Sequence, residues 1–241
     1  MIGPFLNAFG ILMGALFGLA TRAPLSPRSQ QFFKMALGAV TVLCGTRLLY
    51  ANIHGTVTDC LKQLLIAALA AVLGNGLGKL LGLQKMSNRL GQYASKLLGA
   101  AQPASPGDAR NGWVAVTILF CAAPLGIVGA VTDALSDYFY LLLIKAVMDG
   151  LAMTTFVKMF RWPVALAALP VFLFLDGVGM AVRLGAAPWL TAHGLTGYVH
   201  LAAGMVACSV ALVIWEVRRV EMANYLPALV LAPLLAYWLT A

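Results

Sequence analysis

Residues 138–160 read YFYLLLIKAVMDGLAMTTFVKMF, an otherwise apolar or small run that holds Lys145 and Asp149 near its middle and Lys158 near its end. A run of this length crosses a bilayer as one helix, since a span needs about 20 mostly apolar residues. Lys145 and Asp149 stand four residues apart, so one helical turn sets them on the same face. In hydrocarbon, each unpaired charge costs about 2.5–3.5 kcal/mol on insertion scales. The stretch therefore predicts a membrane helix with a polar spot inside it. Such a pair either braces helices together or serves a solute or ion.

Working outward, the rest of the chain agrees with a membrane setting. Of 241 residues, 61% are hydrophobic and only 10% are charged, and mean hydropathy is +0.89. Soluble domains carry about 25% charged residues to cover their cores, so this composition predicts an integral membrane protein. Long unbroken apolar segments do not fit the alternating pattern of a membrane barrel, which leaves an all-α bundle. Eight spans are expected, at about residues 2–20, 32–51, 60–83, 112–134, 138–160, 163–182, 198–215 and 223–240. They divide into residues 1–99 (spans one to three and an amphipathic basic segment), a linker at 100–111 and residues 112–241 (spans four to eight), all within one membrane domain. In the amphipathic segment Leu83, Met86, Leu90, Tyr93 and Leu97 recur at helical spacing among Lys85, Arg89 and Lys96. It can lie on the cytoplasmic surface or continue span three.

Basic residues mark alternate loops: Arg22, Arg28 and Lys34; Lys85, Arg89, Lys96 and Arg110; Lys158 and Arg161; Arg218 and Arg219. The positive-inside rule then expects a multi-pass protein of the inner (plasma) membrane with both termini outside. The net charge of +8 is accounted for by these loops and argues for no nucleic-acid partner. The chain begins MIGPFLNAFG without a basic leader, so the first apolar segment is expected to stay as a helix. Segments at residues 37–43 and 64–74 set against 203–209 and 226–236 suggest an inverted repeat, an arrangement whose binding site lies at the repeat interface in many transporters.

Within the spans, Gly10, Gly14 and Gly18 form a stripe of small residues for close helix packing, with Asn7 one turn before it. Pro124, with Gly126 following, predicts a kink or break in span four. Asp176 lies in span six, and Thr154 adds a hydroxyl to span five. The candidate substrate-binding set is Lys145, Asp149, Asp176, Asn7 and Thr154. Cys44, Cys60, Cys121 and Cys208, like the three histidines, show no ligand spacing, so neither metal nor cofactor is expected. The chain lacks the serine-nucleophile, zinc-protease, phosphate-loop and dinucleotide patterns, and an enzyme is the least favoured class. The leading expectation is transport of a small polar or charged solute through a midplane site, with proton or ion coupling. The alternatives are an ion channel, or a structural or regulatory membrane protein with a Lys–Asp brace. The partners expected are the lipid bilayer, the solute or ion, and a second copy through the glycine stripe.

Three blocks, IGPFLNAFGILMGALFG, GIVGAVTDAL followed by LLIKAVMDGLAMTTF, and RRVEMANYLPALVLAPL, resemble a bacterial membrane-protein family, domain of unknown function 554. The family's start pattern maps onto Asn7, Gly10 and Gly14, and its end pattern onto Asn224, Leu226 and Pro227. The resemblance runs nearly end to end and implies a polytopic inner-membrane protein without naming a substrate. Two positions depart from the pattern: Lys79 stands where members tend to be acidic, and Asp176–Gly177 stands where they carry Gln–Gly.

Overall fold

The structure, a computed structural model, describes residues 1–21, 26–100, 106–218 and 220–240. Eleven helices follow one another, with no strand among the described residues. They are α1 (Gly3–Ala20), α2 (Pro27–Ala51), α3 (Val57–Leu80), α4 (Leu83–Ala100), α5 (Pro106–Cys121), α6 (Pro124–Ser136), α7 (Tyr140–Phe160), α8 (Ala168–Ala181), α9 (Ala187–Ala192), α10 (Thr196–Ile214) and α11 (Ala228–Thr240). Local chemistry sets their ends. Ser26 accepts from the Ser29 N–H before α2, where Pro27 takes the first helical position and its missing donor costs nothing. Thr56 and Asp59 form a reciprocal capping box at α3.

Among the described residues, seven helical stretches are long and apolar enough to cross a membrane by themselves, and α5 with α6 form an eighth as a pair bent by 58°. Helix direction decides whether that pair crosses or turns back. Along α1, Gly3 faces Leu142, Gly10 faces Ala146, Gly14 faces Gly150 and Gly18 faces Val157. Both numbers rise together, so α1 and α7 run parallel. Parallel helices need an even number of crossings from one to the other, counting one of the two. With α2 and α3 each crossing once, α5–α6 must cross as well. The other two long pairings obey the same count. Gly38 meets Trp215 and Gly45 meets Cys208 across α2 and α10, while Gly74 meets Ala228 and Gly78 meets Asn224 across α3 and α11. Both pairs are antiparallel, as eight spans require.

These three seams are built from small residues. Lipid is as apolar as leucine, so helices gain by close van der Waals contact rather than by escaping water. Many leucine and phenylalanine side chains accordingly stand outward, with Phe5, Leu16 and Leu43 all exposed.

Two details, the extent of span six and the linker, differ from the sequence reading, and two expectations, the kink or break at Pro124 and the course of the amphipathic segment, are decided by the structure. Span four is broken into two helices, because Pro124 has no N–H to continue the ladder; it starts α6 instead. Span six continues to Ala192: a short 3-10 helix (Trp162–Ala167) leads into α8, a π-turn (Val182–Ala186) follows, and α9 completes it. A wider turn absorbs an extra residue without ending the helix, so Gly185 and Pro188 do not stop it and Arg183 lies inside the span. The linker expected at 100–111 is helical from Pro106 onward, while 101–105 lie outside the described residues. Finally, α4 is not a continuation of α3. The chain turns at Gly82, whose φ of 68° suits glycine.

The helix α4 ties separate spans at one end of the bundle. Near its start, the Gln84 N–H donates to Asn224 Oδ1 (3.0 Å) and Gln84 Oε1 accepts the Ala223 N–H (3.1 Å). Near its end, Leu98 packs on the core cluster that contains Phe160. The same end carries Lys34, paired with Glu216 at 2.6 Å, and Lys158. Lys62, in the first turns of α3, stands at the opposite end.

Candidate functional site

The carboxylate of Asp149 pairs with the Lys145 ammonium one turn earlier on α7. Its Oδ2 also accepts a hydrogen bond from Asn7 Nδ2 on α1 at 3.2 Å. The local sequence explains the convergence. Gly10, Gly14 and Gly150 carry no side chain, so the α1 and α7 backbones touch: a Cβ on Gly10 would lie 2.5 Å from the Ala146 carbonyl oxygen, and one on Gly14 would collide with the Gly150 carbonyl. That contact brings Asn7 to Asp149. Lys145 and Asn7 are 2% and 0% exposed, and Asp149 keeps 7% of its surface open. Asn7 Oδ1 is buried with no hydrogen-bond partner among the described residues.

The break in span four faces the same place. The Lys145 ammonium lies 5.6 Å from the centre of the Phe120 ring, a cation–π distance, on the last turn of α5. Past the break, Gly126 leaves room for the lysine stem, since a Cβ there would lie 2.8 Å from Lys145 Cε. The carbonyl end of a helix is partly negative and its last carbonyls lack intrahelical donors. Lys145 therefore sits beside a carboxylate and an aromatic face, close to the break that follows α5. Buried charge in a membrane persists when it is paired in this way.

An apolar cavity of about 550 Å³ reaches the other side of the break. Ala123, Pro124 and Leu125 form one wall, Met148, Leu151, Ala152 and Thr155 of α7 a second, and Val210, Val213 and Ile214 of α10 a third. Gln30 and Lys34 lie at the basic end. Met148 and Ala152 follow Lys145 and Asp149 by three positions, so the cavity wall and the ion pair occupy adjacent stripes of one helix.

The remaining candidates separate. Thr154 is buried but donates to the Leu151 carbonyl at 2.7 Å and packs where Gly18 of α1 passes, toward the end of the seam. Asp176 is half-buried on α8, and no hydrogen bond or ion pair joins it to Lys145 or Asp149 among the described residues. Leu175, its neighbour, packs beside Gly126 instead.

Two residues at or near the site, one aromatic and one acidic, were not singled out from sequence. Phe120 carries the ring that meets Lys145, and its position four before Pro124 marks it as the last full turn ahead of the break. Asp133 is fully buried on α6, where its Oδ2 accepts the Gly3 N–H at 3.0 Å and so stabilises the start of α1. Its signal was an acid inside the apolar run GIVGAVTDAL. Nearby, Ser136 Oγ and His200 Nε2 lie 2.9 Å apart, and the Tyr138 hydroxyl donates to the Cys44 carbonyl at 2.7 Å.

A family profile described as "Protein of unknown function (DUF554)" matches residues 2–237, and the chain belongs to that family. It is 27% identical to the uncharacterized protein YqgA of Escherichia coli (strain K12), over 99% of this chain and 97% of that protein. It is 23% identical to the uncharacterized membrane protein YdfK of Bacillus subtilis (strain 168), over 98% and 96% respectively. No solved structure matches it.

Proposed function

From membership of that family as the premise, we propose that the protein carries a small polar or charged solute across the inner membrane, through a site around Lys145 and Asp149. The observation that carries this reading is the apposition of the broken span four to a buried ion pair. Broken helices, whose free backbone groups face a cavity, commonly build solute sites at mid-depth. The cavity leading from the basic end to Ala123–Leu125 supplies an approach, cytoplasmic if the basic end lies inside. Its apolar lining suits a solute with some hydrophobic body. Asn7 Oδ1 and the open edge of Asp149 supply acceptors for a donor group, and Lys145 supplies a cation. The opposite directions of α2 and α10, and of α3 and α11, are what an inverted repeat of these spans requires, and the basic loops favour both termini outside.

Uptake by proteoliposomes of a panel of small carboxylates, amines and zwitterions tests the site. Saturable uptake is expected, and Lys145→Ala and Asp149→Asn should each lower it by at least ten-fold. Undiminished uptake in folded variants would sink the assignment, and current that never saturates would favour a channel. One observation favours a second reading, a structural brace: Lys145 and Asn7 both bind Asp149 Oδ2, which joins α1 to α7. A brace predicts that a neutral double replacement, Lys145→Met with Asp149→Leu, leaves every measurable flux unchanged.

A further inference from the structure

Helix α4 is three-sided, and its third side is largely exposed. At about 100° per residue, Ala94 and Leu98 fall on one side, which packs against the bundle: Ala94 is fully buried and Leu98 joins the core. Asn88, Gln92 and Ser95 fall on a second, uncharged polar side. Met86, Leu90 and Tyr93 form the third, a stripe at i, i+4 and i+7 whose members are 58%, 39% and 53% exposed. Lys85, Arg89 and Lys96, all exposed, line the edge of that stripe away from the bundle.

The helix runs from the first turn of the last span, at Asn224, to the ends of spans four and five, and so lies across one end of the bundle rather than through it. Its 18 residues contain three cations and no acidic residue. An apolar stripe edged by cations, held at the level where spans emerge, matches the boundary between acyl chains and anionic headgroups. We propose that α4 docks onto anionic phospholipid, with Met86, Leu90 and Tyr93 in the acyl boundary and Lys85, Arg89 and Lys96 on the phosphates. Asn88, Gln92 and Ser95 then face water. The same docking fixes the depth of the Gly82 turn and, through Gln84, of the start of α11.

Full-length protein offered equal phosphatidylglycerol and phosphatidylcholine in detergent, with retained lipid counted by native mass spectrometry, tests this. Wild type should retain phosphatidylglycerol preferentially. The triple variant Lys85→Gln, Arg89→Gln, Lys96→Gln should lose that preference by about ten-fold, a discounted value for three cations near an anionic surface. Removing the same charge at Arg28, Lys62 and Lys79 should leave most of it. Equal losses in the two triples would overturn the proposal, because net charge alone would explain them. Met86→Ser with Leu90→Ser should also reduce retention, and no change would show that no apolar face docks. A dimer abolished by these variants would assign the face to a second copy and reject lipid. Amide exchange of wild-type residues 83–97 gives a test without variants: it should slow in nanodiscs containing phosphatidylglycerol relative to phosphatidylcholine alone, and equal rates would overturn the docking.

Discussion

Two of the three small-residue seams use the same device and end in opposite chemistry. Across α1 and α7, Gly10, Gly14 and Gly150 let backbones touch, and across α2 and α10, Gly45 and Gly204 do the same: a Cβ on Gly45 would lie 2.7 Å from Cys208 Sγ, and one on Gly204 2.9 Å from the Gly45 carbonyl oxygen. The first seam then buries an ion pair, Lys145 with Asp149, and bonds it to Asn7. The ion pair of the second, Lys34 with Glu216, lies beyond the helix contact with both side chains more than half exposed. Glycine packing therefore sets distance only. What the distance is used for depends on whether charged side chains are placed beside the glycines, and in α1–α7 they are.

The largest difference between the seams should come from unpairing their charges. Lys145→Met alone strands a carboxylate in the membrane and should cost about 3–5 kcal/mol, the usual penalty for breaking a buried pair. Lys145→Met with Asp149→Leu should recover most of that. Thermal unfolding in detergent reads both, and equal destabilisation of single and double variants would break the contrast. A smaller gap is expected for Gly14→Ala against Gly45→Ala. The first drives a methyl into the Gly150 backbone and should cost about 3 kcal/mol; the second meets mainly the Cys208 thiol and should cost about 1 kcal/mol. Adding Cys208→Ala should relieve the second variant and not the first. Gly76→Ala, with nothing within 4 Å, should be neutral or slightly stabilising on helix propensity.

The smallest effect belongs to the exposed pair. Hydrogen bonding and charge from Lys34 hold the Glu216 carboxyl below its ordinary value of 4.5. The folded state thus binds that proton less readily than the unfolded one. Its contribution is full above about pH 4.5 and is lost as pH falls through the lower folded value. Glu216→Gln should remove only this acid-side slope in melting temperature, and slightly, because exposed pairs contribute little. A large change at pH 7 would show that the second seam depends on its charges after all.

Much of this was legible in the sequence because membrane helices report themselves through length and apolarity. Lys145, Asp149 and Asn7 stood out as polar residues in greasy surroundings, and Lys145 with Asp149 could be placed on one face by spacing alone. That Asn7 reaches Asp149 was not legible, since residues 142 positions apart meet only if α1 packs on α7. The glycine stripe announced a close contact without naming the partner, which turned out to be Gly150. Pro124 announced a break, but not that Phe120 and Gly126 flank a lysine there. Asp176 shows the converse: an intramembrane acid marks a depth and a face, and only packing tells whether that face points inward. Span six was read ten residues short, because glycine and proline signal helix ends whether or not a π-turn absorbs them.

The spacing of Lys145 and Asp149 also bears on how the chain enters the bilayer. Spans are inserted in order, and α1 precedes α7 by more than a hundred residues of synthesis. An ion pair split between those helices would send each charge into lipid alone, at about 2.5–3.5 kcal/mol apiece. With both charges one turn apart on α7, that helix arrives as a self-neutralised unit, and the early helix has only an uncharged amide to carry in. Asn7 then joins a charge pair already balanced. The i to i+4 arrangement lets a site drawn from distant segments assemble after insertion, with α7 bringing both charges of that site in as a matched pair.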